Sequence, residues 1–285
     1  MTRHSVLKKI FIPGALGLIL WGAGSLSTLA EVDTKPLKVL LITGGCCHDY
    51  KVQKDILKTG LEARANVVVD QVHTDDGSTK PPLAIYGNPD YAKGYDLVIH
   101  DECAADMSDK TTVEGVLKPH LDGIPGVNLH CAMHSYRIGN PNDPVEKGTP
   151  HGLWFEYLGL QSSGHGAQVP ISITFTDPKN PVVKGMSNWV TIHEELYNNV
   201  HVFDTAHVLA HGEQSFEQKT NNYVTVWQNT YGPKKTRVFS TTIGHNNETV
   251  SDPRYLDMVA RGVLWATGHL KADGTPSKGY GPGGK

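Results

Sequence analysis

The chain has 285 residues, with 26 Lys+Arg against 29 Asp+Glu and a formal net charge of −3. That length suits one large domain. With no basic patch and no alternation of basic and aromatic residues, the composition argues against nucleic acid as a partner.

At the N-terminus Arg3, Lys8 and Lys9 precede an apolar run over 10–22, and Thr28-Leu29-Ala30 has the small residues of a cleavage site. This order predicts a secretory signal peptide over 1–30, and so a periplasmic or secreted protein with no stable membrane insertion after cleavage. A membrane anchor fits less well, because the run is short and Pro13 and several glycines break it. Without residues 1–30 the charge is −6, from 23 basic and 29 acidic residues.

Residues 38–43 form a continuous apolar run, the mark of a strand buried on both faces. Residues 50–64 have helical spacing, with Val52, Ile56, Leu57 and Leu61 on one side. A second strand is predicted over 66–72, a long polar loop over 74–90 and a third strand over 95–100. Ser108 can cap a helix reaching about residue 121, with Val113, Val116 and Leu117 inward. A fourth strand follows over 126–130. This alternation predicts an α/β fold, mostly a parallel sheet with helices on both faces. The second half reads as β-rich: a short helix over 151–158, strands over 169–175, 206–210, 223–227 and 237–242, and a last helix over 253–265. One domain over 35–270 is the simplest organisation, and 271–285, rich in Gly, Lys and Pro, reads as a disordered tail.

Three predicted strands end in histidine and cysteine: Gly44-Gly45-Cys46-Cys47-His48-Asp49-Tyr50, His100-Asp101-Glu102-Cys103, and His130-Cys131-Ala132-Met133-His134-Ser135. Open α/β sheets build their sites at the carboxyl ends of parallel strands. Adjacent cysteines rarely bond each other, so Cys46 or Cys47 is expected to pair with Cys103 or Cys131, in a pattern the spacing leaves open. The usual CxxC spacing of thiolate zinc sites is missing. Gly44-Gly45 suits an anion at a helix N-terminus, but without GxGxxG or a P-loop pattern no nucleotide cofactor is implied.

Further histidines lie at His165, in His193-Glu194-Glu195-Leu196-Tyr197, and at His245 after the last strand. Imidazoles with a carboxylate form a common ligand set for zinc or a similar divalent metal, and the same groups serve as acid and base near neutral pH. A single loop histidine is more often merely solvated, and His73, His120, His201 and His269 read as surface residues. A buried carboxylate at Asp101 or Glu102 needs a partner.

In these segments the chain resembles the ThuA-like (trehalose utilisation) family. The matching residues are Thr43-Gly44-Gly45 with His48-Asp49-Tyr50, Gly126-Val127-Asn128-Leu129-His130, Ser163-Gly164-His165, Glu194-Glu195-Leu196-Tyr197, and Arg237-Val238-Phe239 leading to Gly244-His245. The resemblance implies a flavodoxin-like, class I glutamine amidotransferase-like fold. In the amidotransferases the fourth-strand turn holds a nucleophilic cysteine; here His130 stands in that place and Cys131 one residue later. The resemblance therefore implies no glutaminase activity. It implies a protein of sugar metabolism, linked to 3-keto-glycosides, with a divalent metal on histidine and acidic ligands. The expected metal ligands are His130, His165, Glu195 and His245, and the expected catalytic groups His130, Glu195, His48 and Glu194. Asp49, Tyr50, His134 and Tyr197 are expected to meet a small carbohydrate substrate. Trp154, Tyr197 and Trp227 serve either sugar stacking or core packing. The reading is thus a hydrolase or lyase acting on a glycoside or 3-keto-sugar. A non-catalytic carbohydrate binder on the same fold and a thiol hydrolase using Cys131 are the alternatives.

Overall fold

The computed structural model describes residues 34–284, with Met1, Thr2, His4 and Ile10. Almost all of the expected signal peptide lies outside the described residues. No described helix is long and apolar enough to cross a membrane.

The first half follows the expected alternation. Strand β1 (Leu37–Gly45) leads into helix α1 (Tyr50–Glu62), then β2 (Val67–His73), β3 (Leu97–Cys103), α2 (Lys110–Leu121) and β4 (Gly126–Leu129). A short 3-10 turn over His130–His134 and helix α3 (Leu153–Leu158) follow. The second half holds β5 (Leu160–Phe175), β6 (Trp189–Val202), β7 (His207–Phe216), β8 (Lys219–Tyr231), β9 (Thr236–Thr241), α4 (Asn247–Val250) and α5 (Pro253–Ala266).

The nine strands of the described residues form one sheet, in the order β2-β1-β3-β4-β9-β8-β7-β5-β6. The run from β2 to β9 is parallel, and every pairing from β9 to β6 is antiparallel. The expectation of a mostly parallel sheet therefore holds for one half only. The reason lies in the connections. Helix α1 joins β1 to β2 and helix α2 joins β3 to β4, whereas β7 and β8 are joined by the two residues Glu217 and Gln218. Both have positive φ, +47° and +64°, which gives the twist a two-residue hairpin requires.

The core has two layers. Val39, Leu41, Val127 and Phe239 pack with Leu57, Leu61, Leu256, Val259 and Val263 on the α1/α5 side. Leu40, Ile42 and Val98 pack with Val113, Val116, Trp154 and Tyr157 on the α2/α3 side. Such burial is the main source of stability, at about 25 cal/mol per Å² of apolar surface.

Several local expectations change. Val52 is exposed, and Gln53 takes a buried place on α1. Asp109, not Ser108, caps α2, accepting a 2.8 Å bond from the Thr112 amide. Strand β6, where no strand was expected, forms the sheet edge, and its central residues are polar because they serve the site. The segment 271–284 is ordered rather than disordered. Asn66 donates side-chain bonds to Thr34 and Gly279 and a backbone bond to Tyr280, whose ring stacks on His269 at 3.6 Å. Backbone bonding and left-handed turns at Gly274 and Gly279 order this segment despite its scarcity of apolar side chains.

Candidate metal centre

Three parallel strand ends and the edge strand β6 converge at one rim. After β1, Gly45 adopts φ +99°, and a Cβ there would lie 2.1 Å from the Cys103 carbonyl oxygen. Only glycine lets β1 and β3 close at this point, and His48 follows three residues later. After β4, His130 itself takes φ +42°, rare for a side chain other than glycine. Its Nδ1 donates to the Thr242 carbonyl at 2.7 Å, which turns Nε2 toward Glu195 and the Tyr197 hydroxyl. After β9, Gly244 (φ +133°) turns the chain so that His245 faces the same point, in contact distance of Glu195 from β6.

Glu195 Oε2 lies 3.4 Å from His130 Nε2 and 3.4 Å from His245 Nδ1. The His48 ring is 4.6 Å from that of His130 and 4.8 Å from that of His245, centroid to centroid. One ligand atom from each of His48, His130, Glu195 and His245 lies within 4.8 Å of all the others. The Nδ1 atom of His48 is buried with no hydrogen-bond partner, and that of His245 faces only the Glu195 carboxylate. Three imidazole nitrogens and one carboxylate oxygen, with the His48 nitrogen unsatisfied, match the donor set of a zinc-like divalent cation.

The electrostatics agree. Burial, reinforced by His130 and His245, lowers the His48 pKa to about 2, so its ring is neutral and free to ligate. Burial pushes the Glu195 carboxyl up, but its bonds to His130 and His245 outweigh this and hold it well below the usual carboxylate range. The bond to Glu195 raises the His245 pKa.

The expected residues divide into groups. His130, Glu195 and His245 come together, and His48 completes the set in place of His165. The His165 ring is half exposed, with Nδ1 3.6 Å from Glu195 Oε1. His134 is buried, bonded to Ser162 Oγ at 2.8 Å and stacked on Tyr197 at 4.1 Å. The Tyr197 hydroxyl lies 3.3 Å from His130 Nε2. Asp49 lies on the wall of an open pocket of about 460 Å³, beside Cys47, His48, His245, Asn246 and Asn247. A larger cavity of about 690 Å³, near Lys147, Phe203 and Tyr231, has no histidine or cysteine in its wall.

Other expectations are corrected. Glu194, expected as a catalytic group, is fully buried and accepts bonds from the backbone amides of Gly244, His245 and Asn246 at 3.1–3.4 Å. It shapes the loop that presents His245. Tyr50, expected to touch substrate, is buried against Cys103 and Cys131. Trp154 and Trp227 are core residues, their indole N–H groups bonded to the carbonyls of Ala132 and Leu158. His120, read as a surface residue, is fully buried. Cys46 is bonded to its neighbour Cys47, against the expected cross-strand pairing, while Cys103 and Cys131 are buried free thiols. The Cys131 thiol is pushed up by its hydrogen bond with Cys103 and by burial, the reverse of an activated nucleophile.

Sequence reasoning missed two groups that hold the site. Gln53 donates to the His245 carbonyl at 3.0 Å, and Gln168 donates to Glu195 Oε1 at 3.0 Å. A glutamine on the apolar side of α1 was the available signal for Gln53.

Fold and rim together define an α/β protein with a histidine–carboxylate cluster at the switch from parallel to antiparallel pairing. The chain belongs to the ThuA family, described as trehalose utilisation, whose profile matches residues 38–266. Similar solved structures include a ThuA-like protein from Parabacteroides merdae, at 20% identity and TM-score 0.60, with 85% of this chain and 97% of that one covered. Another is a ThuA-like protein from Bacteroides uniformis, at 17% identity and TM-score 0.55, covering 83% and 95%. A GMP synthase protein from Thermoplasma acidophilum aligns at 11% identity and TM-score 0.49, over 82% and 94%. A search of curated proteins returns no match.

Proposed function

We propose that this chain is an exported, metal-dependent hydrolase or lyase of carbohydrate utilisation, acting on a glycoside or 3-keto-sugar. The observation that carries this reading is the convergence of His48, His130, Glu195 and His245, with the buried His48 Nδ1 unsatisfied. Family membership supports the sugar, and the Arg3–Ala30 segment supports export.

A divalent metal held there would polarise a sugar oxygen or acidify a bound water. The chain supplies the remaining functions. Thr242 fixes the His130 tautomer through its carbonyl. Glu194 and Gln53 hold the His245 backbone from two sides. Asn246, Asn247 and Asp49 give the pocket wall amides and a carboxylate for sugar hydroxyls. With His48 in the ligand set and Glu194 bound to backbone, Asp49 is the carboxylate left to accept a proton. Asn247 bonds its Oδ2 at 2.8 Å. A keto group acidifies the neighbouring C–H, so elimination asks only for such a base. His165, outside the ligand set and partly open to solvent, carries the second proton.

The test is metal analysis of the purified protein with turnover on a panel of 3-keto-glycosides and their parent glycosides. Stoichiometric metal and turnover, both lost in His130→Ala and Glu195→Ala, support the reading. Binding of these sugars with no turnover in the metal-loaded parent protein would replace it with the binder.

A further inference from the structure

Four sulfur atoms sit together beside the pocket. The β1–β3 register sets Gly45 against Cys103, and the turn at Gly45 places Cys46 over that strand end. Cys46 Sγ, bonded to Cys47, lies 3.5 Å from the free thiol of Cys103. Cys131 packs in the same small cluster with Tyr50. Cys103 and Cys131 are buried, whereas Cys47 is exposed, lines the pocket and directly precedes His48. Cys47 also has φ +84°, a left-handed conformation that a side chain disfavours.

We propose that Cys46, Cys47 and Cys103 form a thiol–disulfide exchange site, in which Cys103 displaces Cys47 from Cys46 and frees the Cys47 thiol at the pocket mouth. The new bond joins Cys103 Sγ to Cys46 Sγ as the Cys46–Cys47 bond breaks. The electron pair of the broken bond leaves with Cys47, which gains a proton as Cys103 loses one. One disulfide and two free thiols stand on each side of the equation, so no outside oxidant or reductant is consumed. The sulfurs of Cys46, Cys47 and Cys103 all lie within 4.8 Å of one another. Cys103 thus meets the bond from the side, and the exchange requires its sulfur to swing into line with that bond. The product links the ends of neighbouring strands, where the register sets Gly45, the residue before Cys46, against Cys103. It also frees Cys47 from a small ring and places a sulfur donor next to His48. This chemistry stands whether or not the histidines hold a metal.

Trypsin sites at Lys51, Lys93 and Lys110 put Cys46 with Cys47, Cys103, and Cys131 on three separate peptides. The full chain is held without reductant, pulsed with iodoacetamide under native conditions, and mapped without reduction. The expected result is time-dependent alkylation of Cys47 together with a Cys46–Cys103 cross-linked peptide, and loss of both in Cys103→Ser. Cys47→Ser, which needs no buried side chain changed, is expected to form the Cys46–Cys103 bond when dissolved oxygen, as the oxidant, takes the two electrons and two protons of the thiols. A Cys46–Cys47 pair that persists with Cys47 unlabelled overturns the proposal. So does a Cys47→Ser protein in which Cys46 stays free or pairs with Cys131.

Discussion

Two histidine–carboxylate clusters among the described residues have similar side chains and opposite characters. At the rim, His48, His130, His245 and Glu195 converge, and the buried Nδ1 of His48 has no hydrogen-bond partner. Beneath it, His100, His120 and Glu102 are fully buried and use every ring nitrogen. His120 Nδ1 donates to the Ile124 carbonyl at 2.7 Å, so its Nε2 accepts from His100 Nε2 at 3.1 Å. His100 Nδ1 then shares a proton with Glu102 Oε1 at 2.8 Å, which the Tyr136 hydroxyl also meets at 2.6 Å. Residue type does not separate a cluster able to hold a metal from a structural one. What separates them is whether neighbours consume the lone pairs.

The largest expected effects come from breaking each cluster in turn. His130→Ala or Glu195→Ala should weaken zinc binding by at least about 100-fold, since even residues that only support metal ligands are worth 10–100-fold. Titration calorimetry checks this. Wild-type affinity in either variant would mean that the rim is no more a ligand set than the buried chain. His120→Ala should do the reverse. It leaves His100 and the Ile124 carbonyl unpaired in the core, at about 2–4 kcal/mol of stability, with zinc affinity unchanged. Urea unfolding gives the first quantity and calorimetry the second.

Acid sharpens the same contrast. Burial, with His100 beside it, lowers the His120 pKa from 6.5 to about 3 in the folded chain. Between those values the unfolded state binds a proton that the folded state refuses. His120 therefore contributes its full stability above about pH 6.5 and loses it progressively as pH falls toward 3. His48, lowered to about 2, acts in the same direction in the metal-free protein. The thermal midpoint of the metal-free chain should drop from pH 7 to pH 5, and the drop should be smaller in His120→Asn. An equal drop in both proteins would show that the buried chain is not the group being titrated.

Most of the parallel half was legible, because buried strands are continuous apolar runs and helices carry their own period. The rim histidines were legible because they follow strand ends. β6 was not, since a strand at a sheet edge that also builds a site carries His193, Glu194 and Glu195 where an alternating pattern would show apolar residues. The buried role of His120 was invisible for a related reason. Its partners, His100 and the Ile124 carbonyl, come from a neighbouring strand and the helix end. The choice between His48 and His165 as fourth ligand depends on ring separations that spacing does not encode.

That last choice gives the smallest and most discriminating prediction. His165 and His48 both approach the cluster. His165 Nδ1 bonds the Gly166 carbonyl at 2.9 Å and keeps its ring partly in solvent, stacked 5.8 Å from Tyr197. His48 has a buried nitrogen with no partner. Removing a ring that is already satisfied and solvated should change zinc affinity by less than about threefold, whereas removing the unsatisfied one should act as a ligand loss. His165→Ala and His48→Ala, compared by zinc titration at pH 7.5, read this difference directly. If the His165 variant shows the larger loss, the ligand set is the one spacing alone suggested, and the 3.6 Å contact with Glu195 is a ligand arrangement that closes on metal binding.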